Sequence, residues 1–179
     1  DHICENEAEK ELLIEMSIHA RIQPIIIDNP ERFKTTFKPL KRTRVFLCCR
    51  PGYGKEYGLD IVSLIHRQVP DVEFHIYGIS GKNRENVLYH GLIHEEQFDK
   101  EISRYHAGLR LNELDGFGEV LAKSVLLGQY PISRIAYPMI DHAPDPQSLI
   151  KLLLELKNKK VPNKEAKKYW LNILCKPLI

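Results

Sequence analysis

The stretch Asp115-Gly-Phe-Gly-Glu-Val-Leu-Ala-Lys-Ser-Val-Leu-Leu-Gly-Gln-Tyr-Pro131 decides the predicted fold, because it combines a loop, a helix and the start of a strand. A glycine-flanked acidic loop opens an apolar helix, Gly128 ends that helix, and a strand starts near Tyr130. A helix that begins behind glycines presents free backbone N–H groups, and the helix dipole favours negative charge there. The pattern predicts an anion site beside Asp115, whose carboxylate is suited to accept hydrogen bonds from sugar or ribose hydroxyls.

Outward from this stretch, apolar strands alternate with helices along most of the chain. The predicted strands are 24–27, 44–49, 72–77, 86–90, 107–111 and 130–135. The predicted helices are 4–19, 58–69, 95–105, the one in the opening stretch, 146–158 and 163–174. Such alternation indicates an α/β protein with a doubly wound parallel sheet, Rossmann-like, and helices on both faces.

The opening stretch resembles the C-terminal donor-binding domain of the group 1 (family four) glycosyltransferases. That family has Glu-Gly-Phe-Gly, a second Glu on the following helix, then Gly, any residue and Pro-Val. Asp115 stands in the place of the first acid, whereas Lys123 stands in the place of the second. The residues that match outright are Gly116, Phe117, Gly118, Gly128 and Pro131. The resemblance covers about residues 22–174 and implies the C-terminal half of a GT-B fold.

Composition and net charge limit the class of protein and the kinds of partner to be considered. The 179 residues are 43% hydrophobic and 28% charged, which is typical of a globular domain of ordinary size. The net charge of +2 does not favour nucleic-acid binding. We divide the chain into 1–42 (helix, short strand and basic linker), 43–162 (nucleotide-sugar-binding core) and 163–179 (a helix that crosses back to the N-terminal domain).

Charge is unevenly distributed along the chain. Residues 31–55 hold eight basic residues against one acid, and the part from Lys151 onward holds eight lysines against two glutamates. Two interpretations stay open: solvated faces, or attraction to a phosphate-bearing donor or an anionic membrane surface. Without a signal peptide or a membrane span, we expect a cytoplasmic protein, with membrane-peripheral contact as an option. Because the chain starts at Asp1 without Met, we expect it to be a piece of something longer.

The four cysteines and eight histidines show no metal-ligand spacing. No CxxC occurs, and Cys48 and Cys49 follow each other in a predicted strand, where side chains point to opposite faces. We therefore predict reduced thiols, no metal site and no cofactor. The Asp141-His142 pair lies between two prolines, and a turn is the simpler interpretation.

Three predicted loops follow the carboxyl ends of strands, where such sheets bind ligands: 50–57, 78–85 and 112–118. The first contains Gly52 and Gly54 between Arg50 and Lys55, but it lacks the spacing of a P-loop. On spacing alone, a surface Arg and Lys in a turn would explain it. The family has the same Arg, four residues, Lys spacing, which implies that these two cations hold the donor's diphosphate.

Two further segments are similar to the family. Residues 86–91 match a short strand that ends in Gly, which implies that Gly91 and Leu92 meet the nucleobase. The aromatic segment 167–171 is similar to the helix that crosses back to the N-terminal domain. Lys123 departs from the family because an ammonium accepts no hydrogen bonds. It is expected to pair with a phosphate, with Asp115, or with Glu119 four residues before it.

The resemblance implies a retaining glycosyltransferase of hexosyltransferase type that uses a nucleotide-diphosphate sugar, in polysaccharide or glycolipid biosynthesis. The missing N-terminal acceptor domain of the same parent would be its partner, so the fragment alone is expected to be inactive. The expected catalytic residues are Arg50, Lys55 and Asp115. The expected donor-binding residues are Gly52, Gly54, Gly78, Gly91, Leu92, Gly116, Phe117, Gly118, Glu119 and Lys123.

Two other functions stay open. Lys123, and the absence of the family's Gly-Gly-x-x-Glu segment after the Pro-Val strand, are compatible with a degenerate, non-catalytic GT-B-like module that binds a protein partner. A GT-B epimerase, which uses a similar donor half, is the third interpretation.

Overall fold

The computed structural model describes residues 2–23, 27, 29–113 and 116–174. Its N-terminal unit has two parallel strands, β1 (His2–Cys4) and β2 (Ala20–Ile22), joined by helix α1 (Glu7–Glu15). The helix predicted over 4–19 was therefore too long at both ends. Asn6 caps its start by accepting a hydrogen bond from the Glu9 backbone at 2.9 Å, and Ser17 takes a φ of 61° just beyond its end. The strand predicted over 24–27 falls mostly outside the described residues.

Six parallel strands and five helices form the main body within these described ranges. The strands are β3 (Thr43–Cys48), β4 (Val72–Tyr77), β5 (Val87–Gly91), β6 (Ala107–Arg110), β7 (Ile132–Ser133) and β8 (Asp141–His142). The helices are α2 (Leu59–Ile65), α3 (Glu95–Ile102), α4 (Glu119–Leu126), α5 (Pro146–Leu156) and α6 (Lys164–Leu174). Short 3-10 turns occupy Pro30–Arg32 and His66–Gln68.

The strand order β5-β4-β3-β6-β7-β8 confirms the predicted fold class, an α/β doubly wound parallel sheet of the Rossmann-like kind. Strand β3 pairs with β4 on one edge and with β6 on the other. The chain moves outward from β3 through β4 and β5, returns to β6, and then moves outward in the opposite direction. The order therefore reverses between β3 and β6, and the loops that follow these two strands diverge and leave a crevice.

Both faces of β3 are buried. Phe46 belongs to a buried cluster that includes residues of α3, α4 and α6, whereas Val45 and Leu47 belong to a cluster that includes residues of α2 and α5. All three side chains are at most 1% exposed. A strand that is covered on both faces needs apolar residues at every position, which explains why β3 appears in the sequence as a continuous apolar run.

The sequence prediction was wrong at the far edge of the sheet. Strand β7 spans only two of the residues predicted over 130–135. Strand β8 lies where a turn was predicted, because the Ala143 N–H donates to the Ser133 carbonyl at 2.8 Å and draws the segment alongside β7. Helix α2 ends at Ile65 and continues only as a 3-10 turn. The division of the chain at residues 42 and 162 stays a prediction.

Helix α6 is fixed to the body through Trp170. Its indole ring stacks on the Phe117 ring with 3.8 Å between centroids and 8° between planes. The Trp170 Nε1–H donates a hydrogen bond to the Pro138 carbonyl at 2.9 Å. Because Phe117 lies between two glycines at the start of α4, this stack positions the loop that carries them.

Trp170→Ala should therefore lower the free energy of unfolding by about 3–5 kcal/mol, the usual cost of removing a large buried aromatic side chain. Tyr169→Ala is a matched control, because Tyr169 is the adjacent aromatic residue on α6 and is 40% exposed. That control should cost less than about 1 kcal/mol. Urea denaturation measures both changes, and equal losses would contradict the role given to the stack.

Candidate functional site

A cleft of about 330 Å³ lies at the point where the strand order reverses. We call it the arginine cleft; its lining residues are Cys48, Cys49, Arg50, Tyr57, Phe98, Arg110, Glu119 and Val120. Cys49 and Arg50 directly follow β3, and Arg110 is the last residue of β6. The two strands on either side of the reversal therefore each contribute an arginine to the lining of the same cleft.

The turn after β3 presents Arg50 to solvent. The Tyr53 N–H donates to the Arg50 carbonyl at 3.0 Å, and Gly52 between them has a φ of 83°, a left-handed conformation that favours glycine. The Arg50 guanidinium lies 5.2 Å from the centroid of the Tyr53 ring. This exposed cation is held by an aromatic contact and no salt bridge to it is seen among the described residues.

Lys55 does not share the arginine cleft with Arg50. It is exposed and lines a separate cleft of about 360 Å³ with Glu56, Asp60, Asn112, Glu113 and Arg134. Gly54 lies between the two, where its carbonyl accepts the Leu59 N–H at 2.9 Å and anchors the start of α2. Arg50 and Lys55 therefore line different clefts, and the joint role that the resemblance implies for them stays a prediction.

Arg110 is a cation that the sequence reasoning missed. Its guanidinium lies 4.9 Å from the centroid of the Tyr57 ring. It also passes directly over Gly118, where an added Cβ would lie 2.8 Å from Arg110 Nε. A side chain at position 118 would therefore force the Arg110 side chain to shift. The available signal was a charged residue at the end of an otherwise apolar strand.

Aromatic side chains fix the position of the Gly-Phe-Gly loop (116–118). Phe117 has no exposed surface, and the Tyr137 hydroxyl donates to the Gly116 carbonyl at 2.8 Å. The Glu5 carboxylate of the N-terminal unit occupies the space that a Cβ at Gly116 would need. Gly118 is the N-cap residue of α4, so the free N–H groups of that helix start beside Arg110. Asp115 lies outside the described residues.

A second cleft, of about 310 Å³, adjoins the first. We call it the glutamate cleft; its lining residues are Cys48, Tyr77, Gly78, Leu92, Ile93, Glu95, Phe98, Glu119 and Lys123. The Gly78 N–H donates to the Gly91 carbonyl at 2.8 Å, and both glycines have positive φ values, 87° and 68°. Leu92 is 88% exposed at the rim. The structure therefore places Gly78, Gly91 and Leu92 at one cleft, while their roles in binding stay a prediction.

Lys123 lies in the wall of the glutamate cleft with only 2% of its side chain exposed. Its Nζ contacts the nearest carboxylate oxygens of Asp99 at 2.7 Å, Glu119 at 2.8 Å and Glu95 at 3.1 Å. An ammonium has three N–H donors, so three carboxylates match its donor capacity. The pairing with Glu119 was one of the sequence expectations, whereas Glu95 and Asp99 were missed.

The pKa values of this network follow from its geometry. Burial on its own would lower the pKa of Lys123, but the hydrogen bonds to Asp99 and Glu119 outweigh burial and raise that pKa. The hydrogen bond from Lys123 lowers the pKa of Glu95. At neutral pH Lys123 is therefore a charged ammonium and Glu95 a charged carboxylate.

The thiols in the arginine cleft are unreactive at neutral pH. Cys48 and Cys49 are free cysteines, and burial raises their pKa values to about 12 and about 11. A protonated thiol is a poor nucleophile and a poor metal ligand. Among the described residues there is no group of three or more His, Cys, Asp or Glu side chains arranged to hold a metal ion. Over the same residues, no helix has the length and apolar character needed to cross a membrane.

Comparison with solved structures identifies the fold. The lipopolysaccharide outer core galactosyltransferase WaaB superposes with a TM-score of 0.72 at 12% identity, over 97% of this chain and 58% of that chain. A sucrose-phosphate synthase from Thermosynechococcus elongatus superposes with a TM-score of 0.72 at 14% identity, over 96% of this chain and 53% of that chain. Anabaena Alr3699/HepE in complex with UDP and glucose superposes with a TM-score of 0.72 at 13% identity, over 96% of this chain and 58% of that chain. The chain has a GT-B glycosyltransferase fold.

The chain spans little more than half the length of these three GT-B structures, between 53% and 58%. No protein-family model and no curated protein sequence matches it. The GT-B fold predicted from the opening stretch is thus confirmed, whereas membership of family four stays a prediction. The roles of the predicted site residues also stay predictions; what the structure adds is their positions and the contacts of Arg110, Tyr57, Phe98 and Glu95.

Lys123→Met should lower the free energy of unfolding by about 2 kcal/mol near neutral pH, because it removes the buried cation that the three carboxylates share. Arg32, 3.4 Å from Glu95 and 3.6 Å from Asp99, then remains as the only other described cation at these two carboxylates. The expected loss is less than the cost of breaking a fully buried pair, since the side chains of Glu95 and Glu119 are 65% and 55% exposed. Lys100→Met on the exposed side of α3 is the control and should be close to neutral.

The pH dependence of this loss has a definite sign. The pKa of Glu95 is lowered in the folded state, so its pairing stabilises the fold above the ordinary glutamate pKa of about 4.3 and is lost as pH falls through the folded pKa. The difference between the wild type and Lys123→Met should therefore shrink below about pH 4. Urea denaturation of both proteins, at pH values from about 3 to about 7, measures this difference in the free energy of unfolding. A difference that stays constant over that range would contradict the account.

Proposed function

We propose that this chain is the donor-binding part of a glycosyltransferase that transfers a sugar from a nucleotide-diphosphate donor. The observation that carries the proposal is the arginine cleft, which Arg50 and Arg110 both line beside the start of α4 at the reversal of strand order. Guanidinium groups bind phosphate oxygens through paired N–H donors, and a helix start adds further donors. The cleft therefore suits a diphosphate group.

The proposed chemistry follows from the charge that develops during transfer. When the bond between the sugar and the diphosphate breaks, the leaving nucleoside diphosphate gains negative charge. Cations that are already fixed in place stabilise that charge without reorganisation. Arg50 and Arg110 would supply this stabilisation, with Lys55 at the rim of the neighbouring cleft and Asp115 and the Gly-Phe-Gly loop at the sugar. Transfer with retention, and hexose as the sugar, follow from the sequence resemblance and belong to the same proposal.

The glutamate cleft is proposed to receive the nucleoside. Leu92, Ile93, Phe98 and Tyr77 offer apolar and aromatic surface for a base, and Gly78 and Gly91 allow the backbone to approach closely. Both clefts share Cys48, Phe98 and Glu119, so one ligand can extend from one into the other. The Anabaena neighbour with UDP and glucose bound supports a nucleotide-sugar ligand here.

The acceptor is proposed to bind a separate N-terminal half of the same parent protein. In the N-terminal unit, β1 and β2 form a two-stranded parallel sheet, whereas parallel sheets are normally covered on both faces. Helix α1 and the residue after it also expose Leu12, Ile14 and Met16, at 53%, 54% and 69%. These surfaces are suited to pack against the proposed N-terminal half. Because that half would bind the acceptor, the fragment alone would be inactive. A cytoplasmic location, with peripheral membrane contact, belongs to this proposal.

A thermal-shift screen against UDP, GDP, ADP, CMP and their sugar conjugates tests the proposal, because a ligand that binds the native state raises the melting temperature. Arg50→Ala should then weaken binding of the active nucleoside diphosphate by about ten- to a hundredfold, the worth of one charge-assisted hydrogen-bonded contact. Calorimetry of the variant measures this loss.

Arg67→Ala is the matched control, because the Arg67 side chain is 78% exposed on the 3-10 turn after α2 and lies in neither cleft. It should leave the affinity unchanged. An Arg50→Ala affinity equal to that of the control would contradict the assignment of the diphosphate to the arginine cleft. If no compound in the panel raises the melting temperature of the wild type at millimolar concentration, the degenerate, partner-binding module is favoured.

A further inference from the structure

Two lysine-rich segments take no part in the donor crevice. Residues 34–41 hold three lysines and no acid, and residues 157–168 hold six lysines and one glutamate. The first segment leads into β3, and the second runs from the end of α5 into α6. Neither segment contributes a residue to the arginine cleft or the glutamate cleft. The proposed donor site therefore does not explain this concentration of positive charge.

The fold holds the two segments side by side. The Lys167 Nζ donates hydrogen bonds to the Phe33 carbonyl at 2.8 Å and to the Thr35 hydroxyl at 3.0 Å. Gly128, just beyond α4, touches both segments: its carbonyl accepts the Asn163 N–H at 2.9 Å, and a Cβ added to it would lie 2.8 Å from Thr35 Cγ2. Charge that is far apart in the sequence is therefore concentrated on one surface.

The lysines of this surface are not neutralised. None of the exposed ones has a salt bridge to a carboxylate within the part of the chain that the structure describes. The arginines that follow the first segment differ, since Arg42 and Arg44 both pair with Glu73, at 3.1 Å and 2.7 Å. We call the surface the basic edge; its exposed lysines are Lys34, Lys38, Lys41, Lys157, Lys160, Lys164 and Lys168.

The acids near the basic edge are few. Glu165 is exposed on α6, within the second segment. Asp141 and Glu155 lie close to Lys159, so the charge of that lysine is partly offset and we leave it out of the basic edge. The surface therefore keeps a large excess of positive charge, which attracts an extended anionic partner.

Aliphatic side chains are exposed among these lysines. Val161, which follows Lys160, is 65% exposed, and Leu40, which precedes Lys41, is 38% exposed. The Val161 carbonyl accepts the Tyr130 hydroxyl at 2.8 Å, so the backbone of this loop is fixed while the Val161 side chain faces solvent. Lysines beside exposed aliphatic groups are suited to a bilayer interface, where lipid phosphates lie next to acyl chains.

The basic edge lies at the opposite end of the sheet from the crevice. Its first segment precedes β3, whereas Arg50 follows the end of that strand. A strand of six residues spans about 20 Å. A partner on the basic edge therefore leaves the crevice open.

We propose that the basic edge binds the surface of a bilayer that contains anionic lipids. The ammonium groups pair with lipid phosphates, and Val161 and Leu40 lie at the boundary with the acyl chains. A nucleic acid fits less well, because the exposed apolar groups are aliphatic rather than aromatic rings that stack on bases. The inference gives a surface to the peripheral membrane contact in the proposed function, but it goes beyond the donor site and does not require nucleotide binding.

Co-sedimentation with lipid vesicles tests this inference. The chain should bind vesicles of equal parts phosphatidylcholine and phosphatidylglycerol, and it should not bind vesicles of phosphatidylcholine alone. Raising the salt from about 0.1 M to about 0.5 M should weaken binding at least about tenfold, because the attraction is electrostatic. Lys38→Gln combined with Lys164→Gln, one lysine from each segment, should weaken it about twentyfold, since each lysine near an anionic surface contributes about fivefold.

Lys82→Gln combined with Arg84→Gln is the matched control. Both residues are exposed in the loop between β4 and β5, at the crevice end of the sheet, and the pair removes the same net charge. Vesicle binding of this control should stay within about twofold of the wild type. Val161→Ser should weaken vesicle binding about threefold, because it removes exposed aliphatic surface from the basic edge.

The possible outcomes separate this inference from the proposed function. Failure to bind the anionic vesicles, equal binding to both kinds of vesicle, or equal losses in the two double variants overturns the assignment of the basic edge. Binding of single-stranded RNA without binding of anionic vesicles also overturns it. Vesicle binding that follows the predicted pattern, in a chain that gives no thermal shift with any nucleotide, supports this inference and contradicts the proposed donor site.

Discussion

The structure depends on one constraint: β3 is paired on both edges and covered on both faces. Pairing with β4 and β6 places two strand ends side by side, and the reversal of strand order makes the loops beyond them diverge. The crevice between the loops is therefore a consequence of the sheet rather than of any local motif. Arg50 and Arg110 reach it because each directly follows or ends one of these two strands.

A second feature, the ion network around Lys123, gives the crevice its chemical asymmetry. Arginine side chains line one cleft, carboxylate oxygens line the other, and Glu119 belongs to both. Three carboxylates around one buried ammonium keep Lys123 charged and hold the starts of α3 and α4 together. The Gly-Phe-Gly loop at the start of α4 is fixed from the opposite side by the stack of Phe117 on Trp170. The rim of the crevice is thus held by a charge network on one side and an aromatic stack on the other.

Much of the fold could be predicted from the sequence, because fully buried strands and amphipathic helices leave long regular patterns. Strand β3 was predictable for this reason, whereas the Gly-Phe-Gly loop was predictable from its two glycines. The two-stranded N-terminal sheet and β8 were not, since strands of two or three residues carry no detectable periodicity. At the site, the pairing of Lys123 with Glu119 was within reach of local spacing, whereas Arg50 was singled out only through the resemblance. The contacts of Lys123 with Asp99 and Glu95 were not predictable, because they join residues 24 and 28 positions apart that only the tertiary fold brings together.

The central claim is that a nucleoside diphosphate spans both clefts. Its most direct test is a titration with that ligand, followed by the backbone amide chemical shifts in NMR. The account predicts that the largest changes fall at 50–54, 91–95 and 116–119. Changes confined to other loops, or spread evenly over the surface, would contradict it.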